Sequence, residues 1–311
     1  MAVVLRGRGG RLVLGAPPCV RTGDAYDLLA ELPPGSVDLF LTSPPYWGLR
    51  TYDQSHNEDI LREWVAAGGD VATPPPYAWY RDRGGMLGLE LTPEWFVAHL
   101  VEILQRGAAA LKPGGSLWVN IGDTYFARWS SIRQGGRQGL GDNARTRRRV
   151  PMGGYRQEKQ LLLIPARFAI AMQEVRWILR NDLIWYKPNV PPRPERDRLR
   201  LSHEHFFHFV KRPTQGRPRY WYDISAVEDG ARDVVTSAAR AGQDGHSATF
   251  PKQLIEPRIL SCCPPGGLVV DPFCGTGRAL AVASAHGRRA LGFEIHERFA
   301  TAAAESTALV D

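Results

Sequence analysis

Leu268-Val269-Val270-Asp271-Pro272-Phe273-Cys274-Gly275-Thr276-Gly277 decides the fold: an apolar run stops at an acid and turns through glycines into residues 278–286, which read as a helix. A continuous apolar run is how a strand buried on both faces of a parallel sheet is written, and ligands collect beyond the carboxyl ends of such strands. Glycines let the backbone approach a ligand closely, and a helix N-terminus favours negative charge. No further glycine follows at the spacing of a dinucleotide fingerprint, and Arg278 stands where a P-loop needs lysine. The next apolar run, 289–293, ends at Glu294, where a carboxylate can accept hydrogen bonds from ribose hydroxyls. Strand, glycine loop, helix, strand and acid suit an adenosyl ligand without a pyrophosphate. An ordinary glycine-rich turn explains the loop alone but not its pairing with Glu294.

Outward from this unit, 37–41 is a second apolar run that stops at Thr42-Ser43-Pro44-Pro45-Tyr46. Two prolines fix φ and remove two backbone donors, leaving carbonyls that point out of a rigid turn. The Ser43 hydroxyl and the Pro44 carbonyl can both accept from one amino group, and Tyr46 and Trp47 offer flat faces for an extruded base. A strand merely ended by proline does not explain Ser, Pro, Pro and an aromatic in this order. Residues 93–110 have helical spacing (Trp95, Phe96, Leu100, Ile103, Leu104) and stop at Lys112-Pro113-Gly114-Gly115, after which 116–121 reads as a strand. A helix over 165–179 and strands over 182–186 and 205–210 follow. Alternating strands and helices predict a doubly wound, mostly parallel, Rossmann-like α/β sheet in a single domain spanning 1–311. Three stretches break the rhythm: 51–85, rich in proline, glycine and aromatics; 127–157, rich in arginine, glycine and glutamine; and 211–245, basic with Tyr220, Trp221 and Tyr222.

Taken together, these motifs resemble the β-group of DNA amino-methyltransferases, the N6-adenine and N4-cytosine methylases. In that family an [S/D/N]PP[Y/F] motif holds the target amino group, a DPFxGxG motif binds S-adenosyl-L-methionine, and the catalytic motif comes first. Ser43-Pro44-Pro45-Tyr46 precedes Asp271–Gly277 here as the resemblance requires, and the likeness runs from about Gly23 to Phe299. His246-Ser247-Ala248-Thr249-Phe250-Pro251 is similar to the family's motif upstream of the cofactor loop, and Asp24 to its acidic contact with the cofactor adenine.

The resemblance implies a methyltransferase sheet with permuted motif order, its reversed terminal hairpin formed by 182–186 and 205–210. It implies Ser43, Pro44, Pro45 and Tyr46 as catalytic residues. The cofactor would be held by Asp24, Thr42, His246, Thr249, Phe250, Asp271, Pro272, Phe273, Cys274, Gly275, Thr276, Gly277, Glu294 and Ile295. Serine at the first motif position goes mostly with cytosine, so N4 of cytosine is expected ahead of N6 of adenine. An RNA or protein-amide methyltransferase and a catalytically silent DNA-binding module are the alternatives.

The 311 residues carry a formal net charge of +7 and are 43% hydrophobic, a globular chain with a polyanionic partner, here double-stranded DNA. Arg128, Arg133, Arg137, Arg145, Arg147, Arg148 and Arg149 face only Asp142, which favours phosphate contact over a merely solvated loop. Residues 51–85 then read as an insertion near the active site and 211–245 as a target-recognition region, with Arg212, Arg217 and Arg219 around Tyr220 and Trp221. A homodimer and a cognate restriction endonuclease stay open as partners. Cys19, Cys262, Cys263 and Cys274 show no CxxC spacing, which predicts a reducing, cytoplasmic setting. Arginines interrupt every apolar run in the first 18 residues, and no run approaches the roughly 20 residues of a membrane span. The run 203–208 (HEHFFH) has Phe207 where HExxH needs histidine, so no metal is expected; strand alternation puts His203, His205 and Phe207 on one face. Cys274 reads as a small apolar residue and not as a nucleophile, because amino methylation needs no covalent enzyme intermediate.

Overall fold

A computed structural model describes residues 4–7, 10–13, 18–48, 57, 59–126, 129–133, 145–149, 152–190, 192, 195–227, 232–238 and 251–308. In chain order, β1 (Val4–Gly7) and β2 (Gly10–Val13) form a small antiparallel ribbon. Then come β3 (Cys19–Thr22), α1 (Ala25–Ala30), β4 (Val37–Thr42), α2 (Ile60–Ala66), α3 (Tyr77–Asp82), α4 (Pro93–Arg106) and β5 (Leu111–Ile121). A second ribbon, β6 (Trp129–Arg133) and β7 (Arg145–Arg149), precedes α5 (Ile164–Glu174), β8 (Trp177–Tyr186), β9 (His203–Lys211) and β10 (Val234–Thr236). The chain closes with α6 (Lys252–Cys262), β11 (Leu268–Asp271), α7 (Arg278–Ala285), β12 (Arg289–Glu294) and α8 (Glu297–Ala308).

The main sheet has eight strands in the order β10-β8-β9-β5-β4-β11-β12-β3, and every neighbouring pair is parallel except the two that involve β9. The two motif-bearing strands, β4 and β11, lie side by side at its centre, buried at every residue because helices cover both faces. This is the doubly wound, permuted sheet expected.

Helix α4 illustrates how the sequence writes its own boundaries. The Thr92 hydroxyl caps the Trp95 amide at 3.3 Å and Pro93 takes the first turn, where no N–H is needed. Trp95, Phe96, Leu100, Ile103 and Leu104 are all buried, each contributing about 1.5–3 kcal/mol.

Several boundaries differ from the sequence reading. Helix α4 ends at Arg106, short of residue 110, with Gly107 as its cap, and β5 starts at Leu111. Leu111 pairs with Val37 and Ser116 with Leu39, so Lys112-Pro113-Gly114-Gly115 is an extrusion within β5. Helix α5 stops at Glu174 because Arg176 turns into the left-handed region (φ 76°); Trp177–Leu179, expected as helix, open β8 against Lys211–Phe209. A short continuous apolar run such as Trp177-Ile178-Leu179 suits a buried helix end or a strand equally, and only the partner strand decides. The reversed hairpin β8–β9 is present, but β10, from the 211–245 stretch, adds a further parallel strand outside it. The other two irregular stretches also hold structure: α2 and α3 in the first, the β6–β7 ribbon in the second.

Candidate active site

Parallel β3, β12, β11, β4, β5 and β8 deliver their carboxyl ends to one edge of the sheet, where reversed β9 delivers its amino end. That edge therefore carries, in spatial order, Asp24, Glu294, Asp271, Thr42-Ser43, Asn120, Glu204 and Lys187. Thr42 Oγ1 donates to Asp271 Oδ1 at 2.6 Å, tying the ends of β4 and β11 together, and the Phe273 amide donates to the same oxygen at 3.1 Å. Burial pushes the Asp271 carboxyl up to about 7; these two donors oppose the rise and the nearby Glu294 adds to it. Burial also raises the Glu294 carboxyl, which accepts from the Gly275 amide at 3.0 Å and the His296 amide at 2.9 Å. The acid at the end of β12 thus shapes the glycine loop at the end of β11.

Close packing fixes that loop. Gly277 has φ 78°, and a side chain there would meet Ala303 Cβ at 3.0 Å. A Cβ at Gly292 would meet Cys274 Sγ at 2.7 Å, so Cys274 fills space, and burial pushes its thiol up, away from the reactive thiolate. Pro272, Gly275 and Gly277 are buried with it, whereas Phe273 and Thr276 are half-buried and Ile295 is exposed. Asp24 Oδ1 caps α1 through the Tyr26 amide at 2.8 Å, and its Oδ2 accepts from the Tyr77 hydroxyl at 3.0 Å. Burial raises this carboxyl too.

Across Thr42 lies the second half. Ser43 and Tyr46 are half-buried, while Pro44 is buried between them. Ser43 Oγ donates to Tyr46 Oη at 3.5 Å, and Tyr46 Oη has Glu204 Oε2 at 2.7 Å and Asn120 Oδ1 at 3.0 Å. Lys187 binds the other Glu204 oxygen. Gly122 lets the tyrosine ring lie against the chain: a Cβ there would meet Tyr46 Cε2 at 2.8 Å. Trp47 corrects the sequence reading. It is buried, its indole donates to the Glu90 carbonyl at 2.8 Å, and Gly48 donates to the Gly88 carbonyl at 2.7 Å. It is a pillar under the loop and not a stacking face.

Sequence reasoning missed Asn120, Lys187 and Glu204. The signal was present in the 203–208 run, where alternation puts Glu204 on the face opposite His205, but its partners lie on other strands. The His203, His205 and Phe207 rings do line one face, with centroids 5.3 and 5.6 Å apart, and His205 Nδ1 is 2.9 Å from Asp182. His208 faces the other way, stacked on Trp118 at 4.6 Å with Nε2 2.9 Å from Ser116 Oγ, and burial pushes its pKa down to about 3.

The basic residues separate into two places. In the β6–β7 register Arg133 pairs with Arg145, Ser131 with Arg147 and Trp129 with Arg149. Arg148 pairs with Ser130. Arg212, Arg217 and Arg219 are exposed but lie at the far edge of the sheet, where Trp221 N bonds Gly114 O at 2.9 Å and Lys211 Nζ bonds Leu111 O at 3.0 Å. The length of β9, about 26 Å at ~3.3 Å per residue, lies between them and Ser43.

The edge that holds Ser43 also carries the β8–β9 connection, closed by Lys187 N on Ser202 O at 2.7 Å. It bears Arg196, Arg198 and Arg200; Arg198 stacks on Tyr125 at 3.8 Å, and Leu199 is 89% exposed. Arg128, Arg137, His246, Thr249 and Phe250 lie outside the described residues. No described helix is long and apolar enough to cross a membrane.

The family model for N6/N4 DNA methylases matches residues 37–305. The type II methyltransferase M.Cfr9I of Citrobacter freundii is 33% identical over 89% of this chain and 83% of its own. M.SmaI of Serratia marcescens, also a type II methyltransferase, is 31% identical over 91% and 88%. Among solved structures, the cytosine-N4-specific PvuII DNA methyltransferase superposes with a TM-score of 0.64 at 20% identity, covering 94% of this chain and 86% of that one. The M1.HpyAVI–SAM complex gives 0.54 at 15% identity, covering 93% and 98%. With the permuted motifs on adjacent central strands and a match over most of its length, this chain belongs to the N6/N4 DNA methylase family.

Proposed function

We propose that the protein transfers the methyl group of S-adenosyl-L-methionine to N4 of a cytosine flipped out of duplex DNA. The observation that carries the reading is the Thr42–Asp271 hydrogen bond: it joins the amine-holding turn to the acid-lined loop, so donor and acceptor sites share one edge. Asp271 and Glu294 fit the cofactor because both are buried and neither has a cation as an ion-pair partner among the described residues. A cationic ligand with ribose hydroxyls meets that need, with Glu294 on the hydroxyls and Asp24 toward the adenine. Bound there, it supplies an electrophilic methyl group on a sulfonium.

The remaining work belongs to the protein's own side chains. The Pro44 carbonyl and Ser43 Oγ accept from the amino group, aligning its lone pair and raising its electron density, while Tyr46 stacks on the base. Serine at residue 43 and the PvuII enzyme's cytosine-N4 specificity favour cytosine over adenine. The type II relatives support modification of one duplex sequence, with a cognate endonuclease as companion. Duplex DNA is held by the β6–β7 arginines and the β8–β9 connection, where Leu199 is available to enter the gap left by the base.

Nucleoside mass spectrometry of DNA from a host expressing the protein should find N4-methylcytosine; N6-methyladenine instead would overturn the base assignment. Ser43→Ala should lower turnover far more than cofactor affinity.

A further inference from the structure

We propose that Glu204 accepts the proton that the target amino group must lose, reached through the hydroxyls of Ser43 and Tyr46. The proposal rests on the amino-methylation reading above. The hydrogen bonds already point outward from the amine site: Ser43 Oγ donates to Tyr46 Oη at 3.5 Å, and Tyr46 Oη donates to Glu204 Oε2 at 2.7 Å. Tyr46 has one proton, and both Glu204 Oε2 and Asn120 Oδ1 are in reach of it. The carboxylate is charged and nearer, whereas Asn120 Oδ1 is neutral and 3.0 Å away, so the proton is directed to Glu204. Asn120 is held in that orientation by its own Nδ2 donating to the His205 carbonyl at 3.0 Å, which keeps its amide protons off the tyrosine oxygen. With its proton committed to Tyr46, Ser43 Oγ presents lone pairs to an incoming N–H. The 3.5 Å link is long, and catalytic hydrogen bonds of this kind tighten when substrate packs in.

The step balances. The amino nitrogen's lone pair forms the N–C bond to the methyl of the sulfonium donor, and the C–S electron pair stays on sulfur. As that bond forms the nitrogen gains positive charge and becomes acidic, and its proton leaves in the same step. That proton passes to Ser43 Oγ as the Ser43 proton passes to Tyr46 Oη and the Tyr46 proton to Glu204 Oε2. Serine and tyrosine end as they began, the methylated amine is neutral, and Glu204 is a carboxylic acid that releases its proton to water. Its side chain is 15% exposed, enough for that last transfer. Lys187 grips the other carboxylate oxygen and so aims Oε2 at the tyrosine.

Single-turnover methyl transfer at saturating duplex and cofactor, run in mixtures of light and heavy water, tests this. Glu204→Gln keeps the shape and the hydrogen bond to Tyr46 but cannot take the proton; Tyr46→Phe keeps the stacking ring but breaks the relay. Each should slow transfer at least tenfold with cofactor and duplex affinities within twofold of wild type. The double variant should be no slower than the slower single one, because the residues act as a unit. The wild-type rate should curve with deuterium fraction, reporting several protons in motion, and become linear in either variant. Unchanged rates in both variants, or slower rates with the same curvature, would overturn the proposal while leaving amino methylation intact. A wild-type protein that methylates no DNA would overturn both.

Discussion

Asp271→Asn should make the ligand-free protein more stable and a worse cofactor binder. The carboxyl moves from its ordinary 3.8 to about 7 on folding because burial disfavours the charge. A folded-state value above the unfolded one means that the folded protein holds the proton more tightly. Stability from this group is therefore full below about pH 4 and lost as pH rises through 7. At about 1.4 kcal/mol per decade of proton affinity, the ionised carboxylate costs roughly 4 kcal/mol by pH 8, an upper value because the site relaxes. Asparagine keeps an oxygen for the Thr42 hydroxyl and the Phe273 amide and carries no charge to desolvate. Urea unfolding without cofactor should show the variant gaining up to about 4 kcal/mol at pH 8, the difference closing as pH falls toward 4. Calorimetric titration with S-adenosyl-L-methionine should show a loss of about 1.5–3 kcal/mol, from removing a charge-assisted hydrogen bond. Equal stability of the two proteins at pH 8, or parallel pH profiles, would refute the argument that an uncompensated buried charge is kept for the ligand.

Gly122→Ala should lower methylation at least tenfold while costing only about 1–3 kcal/mol of stability, since the new Cβ pushes the Tyr46 ring at 2.8 Å; Gly114→Ala, with nothing nearer than 3.7 Å, is the control. His208 adds an acid-side sensitivity: its folded-state pKa of about 3 lies below the ordinary 6.5, so its contribution is full above pH 6.5 and fades as pH falls toward 3. Urea unfolding of His208→Phe should show a shallower decline over that window. In the β6–β7 ribbon, replacing Arg147, Arg148 and Arg149 with alanine should flatten the salt dependence of duplex binding by up to about 0.9 for each phosphate no longer neutralised. Arg217→Ala and Arg219→Ala, at the far edge of the sheet, should leave the sequence preference of the enzyme unchanged in methylome sequencing.

The sequence by itself determined what is written in contiguous residues. A buried strand needs an unbroken apolar run, a close turn needs glycine, and a rigid carbonyl-presenting turn needs proline, so 268–277 and 42–46 declared their shapes and the order that assigns the family. What lies between partners was not legible. Tyr46 and Glu204 are 158 residues apart, and they meet only because β9 runs backward beside β5 and brings its amino end to the catalytic edge. The same reversal carries Lys211 and the arginines after it to the far edge, although their composition alone suggested a base-reading lobe. Trp47 reads as a stacking ring in the sequence, but its indole is buried and donates to the Glu90 carbonyl. Local preference sets which residues extend or turn, whereas strand order and direction are settled by pairing between distant segments, and it is that pairing that decides which side chains share the site.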